Sequence, residues 1–283
     1  MSAAIGRLAI LGLGLLGGSV GLAARARGLA REVVGVGRSA DIQAAALRVG
    51  AVHAVVSGSE ALRGADLVVL ATPVSAMAPA LSRLAPALAP GALVTDVGSV
   101  KGSLVDVLPG LLPAGAHYVG AHPMAGSHHR GAEHARPDLF EGAACIVTPT
   151  HASDAGAVAR IEGFWADLGC RVVRRDPAAH DAEVAWVSHA PHVLAFAFAR
   201  AFAASPGSAR EVAGPGFRDF TRIARSDAEL WSEILAANRK AVAGPLQETA
   251  RRLDELARIL ERGSEDELEK FIATARSALV DGE

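Results

Sequence analysis

Three features of the 283-residue sequence predict an α/β fold, doubly wound around a mainly parallel sheet and followed by an all-α unit. Short Val/Leu/Ile runs (LAIL, VVGV, LVVL, LVTDV, HYVGA, CIVTP and RVV) recur between Ala-rich stretches from Leu8 to about Asp176. Strands that are apolar on both faces and alternate with helices form parallel sheets covered on both sides. LAILGLGLLGGSVG then sets Gly12, Gly14 and Gly17 in a G-x-G-x-x-G pattern between the first strand and an apolar helix. After RRDPAAHD the strand signal stops and helical signals take over. The sequence therefore divides into residues 1–176 and 177–283, and with 51% hydrophobic and 20% charged residues each part can build its own core.

Taken in order, the glycine pattern allows a tight turn and a close backbone approach, and Leu15 and Leu16 open a helix whose unpaired N–H groups suit a pyrophosphate. The strand before it, the helix after it and a second strand at Val33 to Val36 complete a Rossmann-type βαβ unit, although a methyltransferase loop holding a nucleoside shares the motif. At the end of the second strand, GVGRSAD has Gly37 where an NAD site usually carries an acid, followed by Arg38 and Ser39. An arginine without the acid favours NADP over NAD, because it can pair with a ribose phosphate. Thr72, after the fourth strand, reads either as lining a nicotinamide or as part of a plain strand-ending turn. In TDVGSVK, Asp96 reads as a turn former, while Ser99 and Lys101 read as contacts for an anionic substrate. AHPMAGSHHRG brings His122, His128 and His129 together without Cys, Asp or Glu at ligand spacing, so no metal site is expected. His122, pinned by Pro123 at a strand end, suits a general base. In the second unit, residues 226–229 (SDAE) and 264–267 (SEDE) match capping boxes, and Leu246, Ala250, Leu253, Leu256 and Leu260 form one helical stripe. That apolar surface fits pairing with a second copy or, equally, an internal core of the helical unit.

With 28 basic and 30 acidic side chains and no basic block, neither nucleic acid nor an anionic membrane is expected as partner, and a small molecule is. Cys145 and Cys170 lie in apolar strand-like runs and read as buried thiols. The glycine-broken run Leu8 to Leu16 lacks a cleavage site, and no run reaches the ~18 apolar residues of a membrane span, so a cytoplasmic protein is expected.

Several longer segments, GLGLLGGS, LATPV, TDVGSVKG, GAHPMAGS, DLFEGAACIVTPT, HDAEVAWVSHAPHVLAFA and GPGFRDFTRIARSDAELW, make nearly the whole chain resemble the prephenate/arogenate dehydrogenase family. The resemblance implies a dinucleotide-binding domain joined to a helical dimerisation domain, a homodimer, and oxidative decarboxylation of a cyclohexadienol. It implies that His122 receives the hydrogen bond of the ring hydroxyl, that Ser99 contacts both His122 and substrate, that Arg222 holds a carboxylate, and that His192 lines the pocket. Trp231 is placed like a family tryptophan near the site, but an aromatic on an amphipathic helix reads first as core, and His189 reads as an N-terminal helix residue. Many members carry an acid where this chain has His128, a departure that favours prephenate over arogenate. A β-hydroxyacid dehydrogenase, an imine reductase or a dinucleotide-sensing dimer would share the two-domain plan but would leave AHPMAG and FRDFTRIA unexplained.

Overall fold

The computed structural model describes residues 5–127 and 129–280. Its first part runs β1 (Ile5–Leu11), α1 (Leu15–Ala26), β2 (Ala30–Val36), α2 (Ala40–Arg48), β3 (Ala54–Val55), α3 (Gly58–Leu62), β4 (Leu67–Leu70), α4 (Val74–Leu84), β5 (Leu93–Asp96), α5 (Gly102–Val105) and β6 (His117–Tyr118). These strands form a parallel sheet in the order β3-β2-β1-β4-β5-β6. The chain reverses its winding between β1 and β4, which opens a crevice beyond their carboxyl ends. Successive side chains of a strand point to opposite faces. Leu8, Ile10, Val33 and Val69 accordingly pack with Val20 and Ala23 of α1, and Ala9, Leu11, Val34 and Val68 with Leu62 of α3 and Met77 of α4.

The expectation of one sheet needs correction. The run HYVGA changes partner in its middle: Val119 N still donates to Val94 O (2.9 Å), while Gly120 pairs with Thr148. It therefore ends β6 and begins β7 (Gly120–Pro123), which joins β8 (Ala144–Thr148) and β9 (Arg171–Arg174) in a separate sheet, with α6 (Ala155–Asp167) between the last two. β7 is antiparallel to β8, and β9 parallel to it. Cys145 and Cys170 are buried and unpaired in this region, as the sequence predicts.

From Pro177 onward the described chain is helical. The Asp176 carboxylate accepts from the N–H groups of Ala178 and Ala179 and starts α7 (Pro177–Val184). One wide π-turn, Ala185–His189, links it to α8 (Ala190–Phe202). Pro191 has no N–H to donate to the carbonyl four residues back, which is where an α-helical ladder fails and a π-turn can be accommodated. Then follow α9 (Pro215–Arg222), α10 (Ala228–Ala237), α11 (Arg239–Arg262) and α12 (Glu265–Val280). Ser264 accepts from Glu267 N as its capping box predicts, but α10 is capped by Asp227 through Leu230 N rather than by Ser226. The stripe on α11 is largely uncovered in the single chain, with Leu253 and Leu260 more than half exposed; Val242, Pro245 and Ile259 are the residues it buries. Among the described residues no helix is long and apolar enough to cross a membrane.

Candidate active site

The first turn after β1 is built around what its glycines lack. Gly12 has φ +104°, and a Cβ there would lie 2.5 Å from Ala71 O and 2.8 Å from Thr72 N; one at Gly17 would lie 1.9 Å from Gly12 O. These contacts lock the loop between α1 and the end of β4. Gly14, the N-terminal cap of α1, has nothing within 4 Å of its missing Cβ. The helix has neither a side-chain cap nor an acid in its first turn, so the N–H groups around Leu15 and Leu16 are left for an anion. Thr72 adds a buried hydroxyl at the same crevice that has no hydrogen-bond partner among the described residues. Arg38 extends exposed from the end of β2, and Ser39 caps α2 by accepting from Ile42 N. An open cradle, an orphan hydroxyl and a flanking cation fit a dinucleotide.

Next to this crevice, a buried ionic joint sets the position of β7. The fully buried Lys101 ammonium is bonded to Asp96 and donates to Ala121 O (2.8 Å). Asp96 in turn accepts from Gly98 N (2.7 Å), Tyr118 Oη (2.7 Å) and Ala121 N (3.3 Å). Burial, reinforced by the Asp96 charge, pushes the Tyr118 phenol up, so it stays a neutral donor. One carboxylate thus ties β5 to both β6 and β7. Lys101 is not a substrate contact: its charge is spent inside the joint, where no ligand reaches it. Asp96 keeps the structural role expected of it.

That joint presents His122, which retains 8% exposure. Its Nδ1 lies 2.8 Å from His180 Nε2, and His180 Nδ1 lies 2.8 Å from Asp181 Oδ1. Asp181 also accepts from Lys101 N (2.8 Å) and Gly102 N (2.9 Å), which fastens α7 to the turn after β5. Against the penalty of burial, these donors hold the Asp181 carboxyl below its usual range. Burial, then the nearby His180, Lys101 and His189, hold the His122 imidazole well below 6.5. It is neutral at pH 7. The expected Ser99 to His122 contact does not form among the described residues; Ser99 is half-buried nearby in sequence to the joint, and His180 takes the place given to it. His180 and Asp181 were not identified from the sequence. Their one signal is an adjacent His-Asp pair inside a short helix whose buried face is Pro177, His180 and Val184.

A second group of rings, on the helical part, is gathered around Trp231. His189 is buried in the π-turn, with its Nδ1 3.0 Å from Asn238 Nδ2 and its Nε2 without a partner among the described residues. Burial lowers its pKa to about 4. It meets Trp231 edge-on at 5.9 Å, and His192 stacks on the same indole at 3.7 Å. Trp231 is thus both core, packed with Val100 and Ile234, and wall. His192 Nδ1 donates to Ser188 O (2.9 Å), and burial followed by the charge of neighbouring Arg222 lowers its pKa. Arg222 is exposed and makes no ion pair among the described residues; Asp227, a partner its spacing allowed, is bonded to Arg130. The charge of His189 acts on His122, and that of Arg222 acts on His192, so the ring group lies between the two. Among the described residues no group of His, Cys, Asp and Glu is placed to hold a metal ion. His128 lies outside the described residues.

Comparison with known proteins gives this arrangement a family. Residues 20–174 match the family model for the prephenate dehydrogenase nucleotide-binding domain, and 176–274 match that for the prephenate dehydrogenase dimerization domain. The chain belongs to the prephenate dehydrogenase family. Within that family it is 32% identical over 275 residues to prephenate dehydrogenase of Bacillus subtilis, covering 94% of this chain and 73% of the relative. A crystal structure of Aquifex aeolicus prephenate dehydrogenase in complex with hydroxyphenyl propionate and NAD+ superposes with a TM-score of 0.91 at 30% identity, over the whole of both chains. Synechocystis arogenate dehydrogenase superposes with a TM-score of 0.81 at 30% identity, over 96% of this chain and 98% of that one.

Proposed function

We propose that the chain oxidatively decarboxylates prephenate or arogenate, with a nicotinamide dinucleotide held by residues 1–176 and residues 177–283 completing the substrate site. What supports this reading is the His122 imidazole, buried beside the joint of Lys101 and Asp96 and held neutral there, together with the rings of His189 and His192 on Trp231, which we read as the wall leading from it to Arg222. When bound, the nicotinamide ring accepts the hydride from the carbon that bears the ring hydroxyl. His122 takes the hydroxyl hydrogen bond and draws its proton as that oxygen gains carbonyl character. The ring carboxylate leaves as carbon dioxide, its bonding pair makes the ring aromatic, and the proton returns to what is now a phenol. On the family resemblance Ser99 is assigned to the reacting end; Arg222 grips a carboxylate, and His192 offers Nε2 to the pocket because Nδ1 is occupied by Ser188 O.

The finer choices rest on single residues. Prephenate is favoured over arogenate because His128 replaces the acid, and the carboxylates of Asp181 and Asp227 are engaged by His180 and Arg130. NADP is favoured over NAD by Arg38. Both are read in one assay, following nicotinamide reduction with either substrate and either cofactor. Prephenate with NADP+ is expected to give the highest kcat/KM, and Arg38→Ala to lower it about tenfold while leaving the NAD+ reaction unchanged. No turnover of either substrate would overturn the function; a higher kcat/KM for arogenate or NAD+ would overturn the respective choice. The uncovered α11 stripe and the match to a dimerization domain support a homodimer, and the two buried thiols suit a cytoplasmic setting.

Arg222→Ala tests the far end of the wall. A truncated charge-assisted contact costs about 2–5 kcal/mol, and the exposure of Arg222 in the free chain argues for the lower part of that range. Steady-state kinetics should show kcat/KM falling roughly 30- to 150-fold, mainly through KM. Arg222→Lys should recover only part, since it restores charge without the two-pronged donor. An unchanged KM would remove the role.

A further inference from the structure

We propose that His180 and Asp181 act with His122 as a linear relay, fixing which nitrogen of His122 is bare and taking up the positive charge that develops when it accepts the hydroxyl proton. This rests on the function proposed above but on separate observations. Asp181 Oδ1 and Oδ2 are occupied by backbone donors from Lys101 and Gly102, so the carboxylate cannot turn away from His180. A carboxylate only accepts, so His180 Nδ1 carries the proton of that 2.8 Å bond. A neutral His180 then presents a bare Nε2, which accepts from His122 Nδ1–H across 2.8 Å. His122 is left with one unprotonated nitrogen, Nε2, the atom a substrate hydroxyl needs.

The relay balances without any further reactant. As the hydroxyl proton moves to His122 Nε2, the proton on Nδ1 shifts toward His180 Nε2, and that on His180 Nδ1 toward Asp181. Each returns when the phenol takes its proton back. His180 and Asp181 touch neither substrate nor cofactor and are positioning residues. Asn238 braces the same turn: its Nδ2 donates to Asp181 O (2.8 Å) as well as to His189. The groups facing His122 from every side are His180 and Asp181 on α7, Lys101 with its Asp96 partner on the turn after β5, and His189 in the π-turn. Asp181 is the carboxylate on the relay side; Asp96 is neutralised by Lys101.

Two measurements on the full-length protein test the relay. In the ligand-free wild type, imidazole nitrogen NMR should find His122 protonated at Nδ1 and bare at Nε2, and His180 likewise; the reverse assignment overturns the proposal. This readout needs no turnover, so it separates failure of the relay from failure of the proposed reaction. In kinetics, Asp181→Asn should lower kcat about 10²-fold or more and move the acid limb of kcat/KM to lower pH, because loss of the carboxylate charge makes the imidazole pair harder to protonate. His180→Gln, which can still accept from His122 Nδ1–H, should retain at least tenfold more turnover than His180→Leu. A purely structural role predicts an unmoved acid limb and equal losses for Gln and Leu. Either result would overturn the relay.

Discussion

His122→Asn is expected to lose about 10²- to 10⁴-fold in kcat while binding the dinucleotide as well as the parent. The replacement keeps a polar group of similar reach but has no bare imidazole nitrogen to draw a proton. The glycine cradle, Thr72 and Arg38 lie on the β1, β4 and β2 loops and do not depend on the side chain of β7. Fluorescence titration with the cofactor and steady-state kinetics on one preparation read both halves. The pH profile supplies the sign. His122 is held below 6.5 chiefly by burial, so it stays the active neutral base as pH falls below that value, and activity declines only through its lowered pKa. An acid limb at or above 6.5 in the wild type, or unimpaired turnover in the variant, would contradict the assignment.

The cradle was legible in the sequence because each of its requirements is local. Gly12 and Gly17 leave no room for a side chain, their strand and helix flank them directly, and the six residues from Gly12 to Gly17 encode the whole motif. The paired wall of His192 and Trp231 was legible only through the family resemblance, since residues 39 apart meet through the angle between α8 and α10. The relay was not legible at all. His122 and His180 are 58 residues apart, and their contact depends on how α7 is rotated, which Asp181 fixes through backbone donors on the turn after β5. The division of HYVGA between two sheets was hidden for a related reason: a five-residue strand-like run looks alike whether it keeps one partner strand or changes it. Reading Ser226 as a cap missed by one residue because Ser and Asp both satisfy the rule, and only the backbone decides which oxygen faces Leu230 N.

Lys101 shows how composition in a cleft can mislead, and its replacement distinguishes the two readings. A lysine that gripped an anionic substrate would, as Lys101→Met, raise KM and leave stability alone. The structure predicts the opposite order of effects. Removing the ammonium leaves the Asp96 carboxylate fully buried with only neutral donors, Gly98 N, Tyr118 Oη and Ala121 N, and frees Ala121 O of a bond. Breaking one side of a buried pair costs about 3–5 kcal/mol, which denaturant unfolding should show as a lowered midpoint. Turnover should fall as well, because the same joint sets the position of β7 and with it His122. The double variant Lys101→Met/Asp96→Asn should recover part of the stability, since the stranded charge is gone and an amide can still accept from Tyr118 and Ala121. If Lys101→Met is as stable as the parent, the joint does not anchor β7, and the position of His122 has to come from the α7 side alone.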